Sequence, residues 1–180
     1  SVFGGGLFLD AAEKILDVSK FQDTPVPIDL VQSLREKSLL RAIDTPYETR
    51  FAMYQLVREY AAMKWAISAT PAEQADLRLR FAAYYRSYFA HWDSRLSSRD
   101  AIEALDRLDY SRAHADTILA WAQQTSDAGL FAEITLHMAR LLRVRGPANQ
   151  RVPALVRALN QVGPGDSQHR ARLLFLLGQS

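Results

Sequence analysis

Along the chain, stretches with helical spacing of apolar residues alternate with short breaks rich in Gly, Pro and Asp. Asp10-Ala11-Ala12-Glu13 places a carboxylate three residues after an oxygen acceptor, the form of a capping box, and predicts a helix from there to about Val18. Gly4-Gly5-Gly6 ahead of it predicts a tight turn. Thr24-Pro25-Val26-Pro27 breaks the chain, and Ile28 to Lys37 resumes an amphipathic pattern with Leu30, Val31 and Leu34 on one side. Leu39 to Ile43 and Thr49 to Met53 have strand character around Asp44-Thr45-Pro46-Tyr47-Glu48, which predicts a two-stranded hairpin. From Tyr54 the apolar positions fall at Leu56, Val57, Tyr60, Met63 and Ile67, again a helical period. Helix, helix, hairpin, helix is the order of a winged-helix module, expected over residues 1–68.

Thr70-Pro71-Ala72-Glu73 is the clearest helix start, with Thr at N-cap, Pro where its missing N–H costs nothing and Glu at the third position. It also marks the expected domain boundary. Beyond it the pattern predicts helices alone, over about 71–92, 98–108, 110–124, 127–145, 150–162 and 167–178. Gly146-Pro147 and Gly163-Pro164-Gly165 break the later ones. Short connections make neighbouring helices antiparallel, so residues 71–180 read as the start of an α-solenoid. Leu174, Leu177 and Gly178 fit the opening of a tetratricopeptide repeat with Leu in place of Trp. The repeat is cut short there, which leaves one apolar helix face without its second half. The fold class is therefore mainly α, a winged-helix module followed by a tetratricopeptide-like helical region.

Composition adds limits. The 180 residues are 48% apolar and 23% charged and contain no Cys. This is a globular composition that excludes a disulfide scaffold, a thiol nucleophile and cysteine-based zinc sites, and it points to the cytoplasm. No apolar run approaches a membrane span. The chain begins at Ser1 without an initiator Met and closes at Leu-Gly-Gln-Ser, which reads as a piece of a larger protein. Net charge is +2, yet residues 131–180 hold seven arginines against two carboxylates. Arg140, Arg143, Arg145, Arg151 and Arg157 are the candidate surface for an acidic partner, with a solvated helix face as the plainer reading.

Motifs for catalysis are missing. There is no phosphate loop, and the three glycines lack the Lys and hydroxyl that would hold a phosphate and its magnesium. His91, His114, His137 and His169 are scattered, and Glu133 with His137 supplies too few ligands to retain a metal. No G-x-S-x-G elbow is present. Asp100, Glu103, Asp106 and Asp109 recur at threes but lie among Arg99 and Arg107 on an amphipathic helix. Phe81, Tyr84, Tyr85, Tyr88 and Trp92 form a broad stripe that reads as core before it reads as a base-stacking platform beside Arg78, Arg80 and Arg86. For DNA, the Ile28 to Lys37 helix offers Arg35 and Lys37 against Asp29 and Glu36 in an acidic half of the chain, which argues against nucleic acid.

Three blocks resemble a known family. Ser1-Val2-Phe3-Gly4-Gly5-Gly6-Leu7-Phe8-Leu9-Asp10-Ala11-Ala12-Glu13 resembles the S-V-F-x-G-G-F-x-L-x-A-A-E opening of the winged-helix module that follows the nucleotide-binding domain in bacterial STAND regulatory ATPases of the NB-ARC type. Leu34-Arg35-Glu36-Lys37-Ser38-Leu39-Leu40-Arg41 is similar to that family's L-V-x-K-S-L-L-R. The run from Arg50 to Ala61 is similar to R-F-x-M-L-E-x-I-R-E-Y-A. Further on, Leu77 to Tyr85 resembles L-R-x-R-H-A-x-Y-Y with Phe81 in place of His, and Tyr110 to Ala122 resembles the segment before the family's repeats.

The resemblance implies a switch in which an ATPase domain binds ATP or ADP with Mg, the winged helix packs on it, and the helices sense a protein partner or ligand. Many relatives carry a Met-His-Asp triplet whose His lies near the ADP phosphates; the aligned residues here are Met53, Tyr54 and Gln55. The His is absent, and the Tyr54 hydroxyl could donate a hydrogen bond in its place. Arg50, Met53, Tyr54, Gln55 and Arg58 are thereby expected to face a nucleotide-binding domain upstream of Ser1, with plain core packing as the alternative for Met53. The expected role is non-catalytic, with no cofactor held by this piece. A stand-alone helical scaffold for protein binding and a winged-helix DNA-binding regulator remain the competing readings.

Overall fold

The computed structural model describes residues 2–18, 26–147 and 149–179. It is mainly helical, 71%, with nine helices and one two-stranded antiparallel sheet among the described residues. The chain divides into two compact units, residues 1–84 and residues 85–180.

In the first unit α1 (Leu9–Ile15) buries Ala11, Ala12 and Ile15. The capping box expected at Asp10 and Glu13 does not form. Phe8 occupies the N-cap position and buries its ring, which draws Asp10 into the first turn. There the carboxylate takes Lys14 Nζ at 2.8 Å and the Tyr84 hydroxyl at 2.8 Å. The chain break expected at Thr24-Pro25 lies outside the described residues. α2 (Pro27–Glu36) begins on a proline whose absent N–H has no helical partner in any case, and Asp29 sits in its first turn. It ends on Ser38 in the left-handed region, φ 58°, where the Leu39 N–H reaches the Leu34 carbonyl at 2.9 Å.

β1 (Leu40–Asp44) and β2 (Thr49–Met53) pair antiparallel, Leu40 opposite Met53 and Asp44 opposite Thr49. The Thr45 hydroxyl closes the turn by donating to the Glu48 carbonyl at 2.6 Å and accepting the Glu48 N–H at 3.2 Å. Leu7 extends the hairpin by a reciprocal pair of backbone bonds with Phe51, 2.7 and 2.8 Å. Gly6 makes that approach possible. Its φ is +88°, and a Cβ there would stand 2.7 Å from the Phe51 carbonyl oxygen. α3 (Gln55–Ser68) follows without a buried residue.

α4 (Pro71–Arg95) starts at the expected cap, with the Thr70 N–H on Glu73 Oε2 at 2.9 Å and the Glu73 N–H on Thr70 Oγ1 at 3.3 Å. The division between the units falls inside this helix, past the Thr70 cap. Phe81 packs on Phe3 with ring centroids 5.8 Å apart and Tyr84 bonds Asp10, so the first half of α4 belongs with the N-terminal core. That core gathers Phe3, Leu7, Phe8, Ile15, Val31, Leu40, Ala52 and Phe81.

The second unit holds the rest of α4 with α5 (Ala101–Tyr110), α6 (Arg112–Gln124), α7 (Ala128–Arg145), α8 (Arg151–Gln161) and α9 (Ser167–Gly178). The α7 helix is its centre, burying Phe131, Ala132, Ile134, Leu136, Met138, Ala139 and Leu141 and touching α5, α6, α8 and α9. Ala122, Ala132, Ala139 and Ala158 let the helix backbones come close while Phe131, Leu136, Leu155, Val162 and Leu173 fill the space between. Tyr85 and Phe89 are core, 5.6 Å apart, and Tyr85 also stacks on the buried His114 at 4.5 Å. Tyr88 and Trp92, farther along α4, are half-buried.

Candidate functional site

In the first unit, the residues expected to face a nucleotide domain cluster at the end of the hairpin but divide into two sets. Arg50 lies on β2 opposite Ile43, with its Nε beside Gly6. Arg58 reaches from α3 to hydrogen-bond the Gly4 carbonyl. Arg58 thus braces the glycine turn, with Arg50 beside it. Met53 ends β2, half-buried opposite Leu40. Tyr54, at the N-cap of α3, and Gln55, whose amide donates to Glu59 at 2.9 Å, stand exposed.

Beyond them runs a feature that periodicity could not reveal. Leu56, Tyr60, Met63 and Ile67 recur at four, three and four residues, one stripe along α3. All four are exposed, Leu56 to 79% and Ile67 to 78%. Such spacing ordinarily marks the face a helix turns to its core. Here it faces outward, with Tyr54 at its upper end.

In the second unit, the five candidate arginines fall into three places. Arg145 binds Asp106 at 2.6 Å and has Asp109 at 3.9 Å, which ties α7 to α5. Arg157 lines a groove of about 610 Å³ among α6, α7 and α8 together with Arg112, Asp116, Gln123, Thr135 and Gln150. Burial pushes the Asp116 carboxyl above its usual value, against the opposing pull of Arg112. Arg140, Arg143 and Arg151 meet at a second pocket, of about 390 Å³, with Phe175 and Leu176 of α9 and Gln179 just after it. Arg140 is anchored there by the Asp93 carbonyl at 3.1 Å and the Ser97 hydroxyl at 2.6 Å, and its guanidinium lies 3.7 Å from the Asp93 carboxylate. Asp93 in turn holds His137 Nδ1 at 3.1 Å.

The remaining candidate groups are engaged in structure. Glu103 pairs with Arg107 at 3.0 Å, Asp109 with Arg112 at 2.8 Å and Glu133 with Arg86 at 2.7 Å. Glu133 and His137 do not share a partner. His169 donates its backbone N–H to Asp166 Oδ1 and sets Nδ1 2.6 Å from Oδ2, so that Asp166 caps α9. The His169 side chain, then its backbone N–H, hold the Asp166 carboxyl below its ordinary value. Among the described residues no three metal-ligating side chains converge, and no helix is long and apolar enough to cross a membrane. Comparison with protein-family models, with curated proteins and with solved structures gives no match.

Proposed function

We propose that this chain is a non-catalytic regulatory and protein-interaction piece of a STAND-type signal-transduction ATPase or transcriptional regulator. In this reading residues 1–68 are a winged-helix module that docks on a nucleotide-binding domain, and residues 71–180 are a tetratricopeptide-like region that recognises a protein partner or ligand. The observation that carries it is the outward stripe Leu56, Tyr60, Met63 and Ile67 on a helix with no buried residue. Full burial of one such side chain is worth about 1.5–3 kcal/mol. Covering the exposed part of four of them would contribute about 4–8 kcal/mol before the cost of association, a contact that a switch could make in one state and release in the other.

The order of the hairpin and α3, the Leu7–Phe51 bridge and the three motif blocks support the same reading. ATP or ADP with Mg would be held by the ATPase domain. The cytoplasm is the matching compartment, and a panel of hydrolase assays on this chain is expected to be blank. Tyr54, at the edge of the stripe, is the group through which docking would sense the nucleotide, by a hydrogen bond in place of an imidazole contact.

Hydrogen exchange tests the proposal. The ADP-loaded nucleotide domain of the parent protein, added in trans, is expected to protect the amides of α3, and the double variant Leu56→Lys, Met63→Lys is expected to lose that protection. Unchanged exchange across 55–68 in the wild-type chain would remove docking from consideration. A shift of random duplex DNA at low salt would instead favour the DNA-binding alternative.

A further inference from the structure

Arg151 is the first residue of α8 and is 8% exposed, so its cation lies almost wholly inside the protein. An arginine keeps its charge at any pH a protein survives. A buried charge is tolerated where a counter-charge and hydrogen bonds compensate it. Arg151 has one such bond, from a guanidinium N–H to the Leu176 carbonyl at 3.0 Å, while its buried Nε–H has no acceptor. Among the described residues no carboxylate forms an ion pair with it. Arg143, exposed beside it on the same pocket, has none either, whereas Arg140 is already matched by Asp93.

Two uncompensated positive charges therefore border one pocket of about 390 Å³, within the size range of small-ligand sites. The third guanidinium is pre-positioned by Asp93 and Ser97. A single carboxylate would leave one charge unmatched. A phosphomonoester carries about −1.5 to −2 near neutral pH and three acceptor oxygens, which match the two free charges and the fork geometry of guanidinium groups. Phe175, 66% exposed, and Leu176 give the rim an apolar side against which an organic group can lie.

We propose that the Arg140, Arg143 and Arg151 pocket is a binding site for a phosphomonoester bearing an apolar or aromatic group. The site stands whether or not α3 docks on a nucleotide domain, because it uses residues of the second unit alone. It gives the helical region a ligand chemistry, where charge along the sequence had pointed to a diffuse acidic partner.

Phenyl phosphate, inorganic phosphate and benzoate are the probes, compared by titration calorimetry and by thermal denaturation of the whole chain at fixed ionic strength. Phenyl phosphate is expected to bind one to one, tighter than inorganic phosphate and at least tenfold tighter than benzoate, and to raise Tm. Arg143→Ala, at an exposed position, is expected to weaken it at least tenfold, and Arg157→Ala, in the other groove, to leave it unchanged. Arg151→Met is expected to abolish binding; should this variant fail to fold, Arg143→Ala still decides. A phosphotyrosyl peptide run alongside identifies the source. Tighter binding than phenyl phosphate marks a phosphorylated protein, weaker binding a free metabolite, and either supports the pocket. Equal binding of benzoate and phenyl phosphate, or the same affinity in wild type and Arg143→Ala, overturns the proposal.

Discussion

Truncating Leu56 to Ala asks directly whether the α3 stripe is a surface of this chain. Leu56 is 79% exposed, so about a fifth of its side chain is shielded from water. Full burial of a Leu is worth about 1.5–3 kcal/mol, which leaves about 0.3–0.6 kcal/mol at stake. Ala is the better helix former and returns a few tenths of that. The net change is expected to be below about 0.5 kcal/mol. Ile15, fully buried in the same unit, is the comparison, because Ile15→Ala removes core contacts and leaves a cavity, at about 2–5 kcal/mol. Urea denaturation followed by circular dichroism reads both variants against wild type. Were Leu56→Ala to cost as much as Ile15→Ala, the stripe would be core in solution, and docking would lose its carrying observation.

Gly6→Ala is expected to destabilise the first unit by about 2–4 kcal/mol, from a forbidden backbone region and the displaced Leu7–Phe51 bonds, whereas Gly4→Ala, with open space around it, is expected to be near neutral. The same urea titrations check both. Ser126, at φ 57° after α6, holds a conformation that glycine adopts without strain, so Ser126→Gly is expected to stabilise by about 0.5–1 kcal/mol, read as a raised Tm. At Asp10, burial alone would raise the carboxyl, but the hydrogen bonds from Lys14 and Tyr84 prevail and hold it below its usual value. Its contribution is therefore present above the unfolded value of about 3.9 and is lost as pH falls through the lower folded one. Tyr84→Phe is accordingly expected to flatten the acid limb of the stability curve. Asp116 has the opposite sign, its raised folded value favouring the neutral form, so Asp116→Asn is expected to stabilise at pH 7 and to change nothing in strong acid.

Local signals were legible where the physics is local. Thr70, Pro71 and Glu73 supply every atom of their own cap, and Gly146-Pro147 and Gly163-Pro164-Gly165 interrupt helices whatever surrounds them. The Asp10 cap was misread because an acceptor followed by Glu three residues on fits more than one register, and burial of the Phe8 ring settled which. Periodicity along α3 declared an apolar face but carried no information on whether anything covers it. The arginines of 140–157 look like one patch in sequence. Helix packing distributes them, because Arg145 points toward Asp106 on α5, Arg157 lies with Arg112, and Arg151 turns under α9. The pocket depends on Phe175 and Leu176, which no spacing links to Arg143.

The final helix is fastened at its two ends by ties of different chemistry. Near its finish, the Arg151 guanidinium donates to the Leu176 backbone carbonyl, a bond with no carboxylate in it. At its start, the clasp is the Asp166 carboxylate, which protonation unmakes. Acid should therefore loosen the first turn of α9 while Leu173 and the last turn stay in place, so that the edge of the arginine pocket it carries outlasts the cap.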